Sequence, residues 1–254
     1  MKGYVLITGA TSGLGYEFSK ILAKEGYNLI LVGRRKDKLN EVSEELIRRY
    51  QVYVRSYVVD LSKDNEIEKL CKEVDLLPIE ILINNAGFNV YGEFTTTDLK
   101  KEEEMIWVNI ISLTKLTKII GKKMVEMKKG KIMNIGSIGS YIPGPLNSVY
   151  CATKSYVLSF SQALNEELKA SGVTVTTICP GATNTNFAKS ANMESIQLFN
   201  NNVMEVTAVA NLAYKALDKG KVTEIIGLKN KLTVLITKFI PLSLTLKVAS
   251  KMMR

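Results

Sequence analysis

Short, β-branched apolar runs alternate with amphipathic stretches along nearly the whole chain, and this alternation constrains the fold more than any single residue does. Residues 5–8, 28–33, 52–59, 79–84, 131–135, 173–179 and 222–226 read as strands. Residues 15–25, 36–50, 62–74, 101–128, 149–170 and 204–219 read as helices, with Leu39, Val42, Leu46 and Ile47 forming one stripe of the second. Strands that are apolar throughout are buried on both faces, which implies a parallel sheet covered by helices on either side. Right-handed crossovers then leave a doubly wound α/β sheet of about seven strands. No linker, repeat or low-complexity tract divides it, so residues 1–227 read as one domain, with 228–254 as its C-terminal extension.

The chain of 254 residues contains no histidine. That removes Ser-His-Asp and Cys-His hydrolases, His-ligated metals and any imidazole proton carrier. A proton must instead move through Tyr, Lys, Asp, Glu or Cys. Cys71, Cys151 and Cys179 lie far apart and form no Cys-x-x-Cys pair, which suits reduced thiols and no metal site. The apolar run after Met1-Lys2-Gly3 is too short for a secretory signal, so the expected location is the cytoplasm. The net charge of +9 is uneven: Lys229, Lys231, Lys238, Lys247, Lys251 and Arg254 sit in the extension without one acid. A second basic run spans residues 115–131, and neither run is interleaved with aromatics in the manner of a single-strand binding groove, so no nucleic-acid partner is expected.

The first strand runs into Thr8-Gly9-Ala10-Thr11-Ser12-Gly13-Leu14-Gly15 and then a helix. A helix N-terminus offers unpaired N–H groups and partial positive charge to a pyrophosphate, and glycines let backbone approach it closely. The expected phosphate contacts are Gly9, Thr11, Ser12, Gly13, Leu14 and Gly15. The second strand ends in Gly33-Arg34-Arg35, where an acid would select NAD. Guanidinium forks suit a 2′-phosphate, so Arg34 and Arg35 point to NADP(H).

Tyr150 and Lys154 stand at i and i+4 on one helical face, where an ammonium should lower the phenol's pKa toward working pH. Tyr16 and Lys20 repeat the spacing, and about one such match is expected by chance in this lysine-rich chain. Company separates the two. Ser137 follows the fifth strand thirteen residues before Tyr150, with Ser140 and Ser148 as rivals, and Asn109 interrupts an apolar helix.

Together with Asn84-Asn85-Ala86-Gly87 and Pro180-Gly181, these motifs make the chain resemble the short-chain dehydrogenase/reductase family over essentially residues 1–227. The resemblance implies a Rossmann-type fold and an NADP(H)-dependent oxidoreductase acting on a carbonyl or alcohol. It implies that Tyr150 exchanges the proton and that Ser137 hydrogen-bonds the carbonyl oxygen. Lys154 would hold the nicotinamide ribose, and Asn109 would anchor a relay water. It further implies cofactor contacts at Asp60, Leu61, Asn84, Ala86, Gly87, Tyr150, Lys154, Pro180, Gly181 and Thr183, and assembly as a homodimer or homotetramer. The alternative is an NADP(H)-binding sensor or scaffold with little turnover.

Residues 181–203 lack a clear period and read as a substrate lid, with Tyr141, Ile142, Pro143, Leu146, Phe187, Met193 and Phe199 offering a moderately apolar pocket. In the extension, Leu232, Leu235, Ile236, Phe239 and Ile240 form one stripe and Leu242, Leu246, Ala249 and Met253 another. Three readings stand: packing on the domain or a subunit interface, a basic amphipathic surface on an anionic bilayer or substrate entrance, or a mobile tail.

Overall fold

The computed structural model describes residues 2–191, 193, 196 and 203–253. The chain order is β1 (Tyr4–Thr8), α1 (Gly13–Lys24), β2 (Asn28–Gly33), α2 (Lys36–Tyr50), β3 (Val54–Val58), α3 (Asp64–Glu73) and β4 (Ile79–Asn84). There follow α4 (Leu99–Ile106), a π-helical turn (Trp107–Ser112), α5 (Leu113–Glu126), β5 (Gly130–Ile135), α6 (Ser148–Leu168) and β6 (Val173–Cys179). The chain continues through β7 (Thr183–Asn184), α7 (Asn186–Ser190), β8 (Met204–Glu205), α8 (Val206–Asp218) and β9 (Thr223–Ile225). It ends with α9 (Leu228–Thr237) and α10 (Leu242–Met252).

Seven strands form one parallel sheet in the order β3-β2-β1-β4-β5-β6-β9, the doubly wound Rossmann-type arrangement expected. Successive residues of each strand feed opposite layers. Val5, Ile7, Leu29, Leu31, Ile81 and Ile83 pack with Phe18 and Leu22 of α1, Leu39 and Leu46 of α2, and Val209 and Leu217 of α8. Leu6, Ile30, Leu82, Ile132 and Val175 pack with Ile67 and Leu70 of α3 and Leu116, Ile120 and Met124 of α5. Burial on both faces explains why the strands read as unbroken apolar runs. The strand order reverses between β1 and β4, and in open sheets of this kind ligands bind beyond the C-terminal ends of the strands at such a switch point.

Three boundaries differ from the sequence pattern. The stretch 101–128 is not a uniform α-helix, because the π turn interrupts it. Met204 and Glu205 pair with β7 instead of opening α8. The edge strand β3 is shorter than 52–59, since only β2 supports it. Among the described residues no helix is long and apolar enough to cross a membrane.

Candidate active site

The turn from β1 into α1 is held tightly and by backbone approach. Gly9 and Gly13 have positive φ, of 66° and 56°. A Cβ at Gly15 would stand 2.2 Å from the Gly9 carbonyl oxygen and 2.6 Å from Asn85 Nδ2, so no side chain fits there. Asn85 Nδ2 donates to the Thr8 and Gly9 carbonyls at 2.9 and 3.2 Å, and Thr8 Oγ1 accepts from the N–H groups of Asn85 and Ala86. Ser12, the N-cap of α1, makes no side-chain capping bond, and no acid lies in the first turn of the helix. Leu14 packs against the core beneath. The cradle therefore offers N–H donors, a free hydroxyl and positive dipole to an anion.

Beside it, exposed Arg35 donates from Nη2 to Thr11 Oγ1 at 3.4 Å. Arg34 lies close enough to Asp60 to favour its ionised form. Burial opposes ionisation of Asp60, but the N–H and hydroxyl of Ser62 outweigh it, and the carboxyl sits below its ordinary range. Leu61 is buried against the α3 layer. Two guanidiniums thus flank this rim, and the Asp60 carboxylate there is engaged by Ser62.

Across the crevice, Ala86 and Gly87 bring the post-β4 backbone between the glycine turn and the remaining polar groups. A Cβ at Gly9 would lie 3.0 Å from Ala86 Cα, and one at Gly87 would lie 2.9 Å from Asn109 Oδ1 and 3.6 Å from Lys154 Nζ. Asn109, in the π turn, takes the Phe88 N–H on Oδ1 and donates from Nδ2 to the Phe88 carbonyl and to Thr153 Oγ1. The extra residue of the π turn swings this amide out of the helix and onto the loop. Lys154, buried on α6, donates to the Ile135 carbonyl at 2.8 Å, and its Nζ stands 5.7 Å from the Tyr150 ring centre. Burial brings the lysine down to about 8.

Ser137 shares a hydrogen bond with the Tyr150 hydroxyl and accepts from Gly139 N. Its rivals are otherwise placed: Ser140 is buried and donates to the Lys154 carbonyl, and Ser148 is exposed at the start of α6. The expectation that Lys154 depresses the Tyr150 pKa is not met. Burial pushes the phenol up, and the Ser137 hydrogen bond only partly offsets it. The Tyr16–Lys20 pair has no such company, since Tyr16 donates to Glu45, Lys20 pairs with Glu17, and burial pushes Tyr16 up to about 12.

Asn84 is placed differently from a cofactor contact. Its side chain turns into the α5 layer, donating to Thr117 Oγ1 and Asn134 Oδ1. Pro180 accepts from Ile138 N, Gly181 backs onto Asn230 of α9, and Thr183 donates to the Gly181 carbonyl. Phe187 sets its ring 5.8 Å from that of Tyr150. The side of the site nearest α7 is closed by Met253, which packs with Ala188, Ala191, Met193 and Ile196 while its carbonyl accepts from Tyr91. Beneath lies a buried amide pair, Asn89 donating to Asn147. Phe199 lies outside the described residues. Asn85, Thr153, Asn230 and the Asn89–Asn147 pair carry no local sequence signal of their roles beyond Asn85's place in its motif.

Residues 3–196 match the sequence model of the short chain dehydrogenases. The chain is 36% identical over 190 residues to the very-long-chain 3-oxoacyl-CoA reductase of Mus musculus, covering 73% of this chain and 61% of the relative. It thus spans about three-fifths of the length of that relative. A short-chain dehydrogenase from Sphingobium yanoikuyae, solved in complex with NADPH, is 31% identical with a TM-score of 0.85 over 93% of both chains. A 7β-hydroxysteroid dehydrogenase is 25% identical, with a TM-score of 0.89 over 97% of this chain and 96% of the other.

Proposed function

Because the chain belongs to the short chain dehydrogenase family, we propose that it is an NADP(H)-dependent oxidoreductase that interconverts a carbonyl compound and its alcohol. The observation that carries this reading is the meeting of Ser137, Tyr150, Lys154 and Asn109 on the far side of Gly87 from the glycine turn. The glycine turn, Arg34, Arg35 and Asp60 would hold the adenosine and phosphate portions, and Lys154, Ala86, Gly87, Pro180, Gly181 and Thr183 the nicotinamide end. When bound, NADPH supplies hydride and thus both electrons of the reduction. Tyr150 gives its phenolic proton to the carbonyl oxygen, completing the alcohol, while Ser137 donates a hydrogen bond to the same oxygen. Lys154, an ammonium whose pKa burial lowers to about 8, returns a proton to the phenolate through the space it shares with Asn109.

Apolar Phe187, Met193 and Met253 border this space, and the relatives reduce 3-oxoacyl-CoA esters, so 3-oxoacyl thioesters are the first substrate class to try. Assembly as a dimer or tetramer belongs to the same proposal and is read by sedimentation velocity. The deciding assay follows NADPH absorbance over a panel of ketones, aldehydes and acyl thioesters. Turnover of any class supports the proposal; tight NADPH binding with flat traces throughout favours a sensor.

A further inference from the structure

Helices α9 and α10 present apolar arcs to water. On α9, Leu228, Leu232, Leu235 and Ile236 are exposed, as is Phe239 in the turn just past its end, Leu228 at 85% and Phe239 at 81%, while Val234 faces the domain. On α10 the exposed arc is Leu244, Val248 and Met252, at i, i+4 and i+8, with Leu242 at the head of the helix. The stripe legible in the sequence, through Leu246, Ala249 and Met253, turns instead toward the domain, and Thr245 and Met253 are buried. At 100° per residue, Lys229 borders one side of the α9 arc and Lys231 and Lys238 the other. Lys247 and Lys251 border the α10 arc. No acid lies anywhere in residues 228–254.

We propose that α9 and α10 form a docking surface for an anionic lipid bilayer. The leucines and Phe239 enter the boundary of the acyl chains, and Lys238, Lys247 and Lys251 reach lipid phosphates with their stems along the apolar arc, while Lys231 stays paired with Glu224 at 2.5 Å. Helices of 10 and 11 residues are too short to span, so they lie in the interface. A second copy of the chain is the poorer occupant. A two-fold contact would set this face against itself, bringing lysines onto lysines, and the carboxylate beside them, Glu224, is already taken by Lys231 and Lys221. Docking also sets the mouth of the site beside the lipid, because Met253, one residue past α10, packs on Met193 and accepts from Tyr91.

The test floats the full-length chain with vesicles of phosphatidylcholine alone, or with about a third phosphatidylserine. The chain is expected to float with the anionic vesicles only, and less so at high salt. Lys238→Gln, Lys247→Gln and Lys251→Gln together should lower the partition coefficient about a hundredfold, at about fivefold per lysine. Leu232→Glu with Phe239→Glu should abolish flotation without moving the melting temperature. Should that pair disturb folding, Phe239→Trp replaces it: its emission should shift to the blue and be quenched by brominated acyl chains. Equal partitioning onto neutral and anionic vesicles, or none onto either, overturns the proposal. So does a dimer that Phe239→Glu converts to monomer in the absence of lipid, which would assign the face to a second copy. None of these readouts uses turnover, so they stand apart from the proposed reaction.

Discussion

Replacing Lys154 by Met should stabilise the free protein near neutral pH while abolishing its proposed activity. Burial lowers the lysine from 10.5 to about 8 in the folded chain, whereas the unfolded chain leaves it at its ordinary value. Between those two values the unfolded state binds the extra proton, so stability of the wild type rises with pH across that window. Below about pH 8 both states are protonated and the full penalty of a buried ammonium applies, about 3 kcal/mol. Met removes that penalty but leaves the Ile135 carbonyl without its donor, at about 1 kcal/mol. The net gain is about 2 kcal/mol at pH 7, or about 6 °C in melting temperature for a chain of this length. Near pH 10 the wild-type penalty has fallen to less than 1 kcal/mol, and the two proteins should melt together. Thermal melts of both proteins at pH 7 and pH 10, without cofactor, measure the difference directly. A variant that is less stable at pH 7, or a gap that ignores pH, would refute the assignment of Lys154 as a strained buried cation.

Tyr150→Phe should keep NADPH binding yet lower turnover by about three or more orders of magnitude, whereas Tyr16→Phe, which loses only its bond to Glu45, should stay within a small factor; equal losses would sink the distinction. Gly15→Ala drives a Cβ into the Gly9 carbonyl, so it should cost about 3 kcal/mol or more in a denaturant titration and eliminate NADPH binding. Arg34→Ala with Arg35→Ala should weaken NADPH about a hundredfold and leave NADH nearly unchanged by fluorescence titration. Equal losses for both coenzymes would mean that the pair does not read the extra phosphate.

The sheet and its covering helices were legible because each strand is buried on two sides and each helix on one, so two periods suffice to find them. The glycine turn and the Tyr150–Lys154 pair were legible for a related reason: their geometry is local, within one turn of chain. Period-2 alternation also held an answer that the family resemblance obscured. Asn84 follows Leu82 onto the α5 side of the sheet, beside Asn134, while the next residue, Asn85, turns up to the glycine turn. What the sequence could not carry were effects made by distant segments. Desolvation of Tyr150 depends on everything packed around it, and the closure of the site by Met253 joins residues more than a hundred positions apart. The outward arc of α10 is not legible in the sequence because two apolar stripes share that helix, and periodicity alone does not say which one meets the protein.

The widened turn at Trp107–Ser112 has a consequence for how this helix tolerates change in length. A π turn accommodates one residue more than an α-helix needs for the same advance. Removing a single residue within it should therefore let the chain wind without interruption from Leu99 to Glu126, with both flanks still showing their apolar sides to the same neighbours. Such a deletion, ordinarily ruinous in a buried helix, would here heal a defect and silence the amide of Asn109. The surplus residue reads as an inserted spacer that the fold could lose and the proposed chemistry could not.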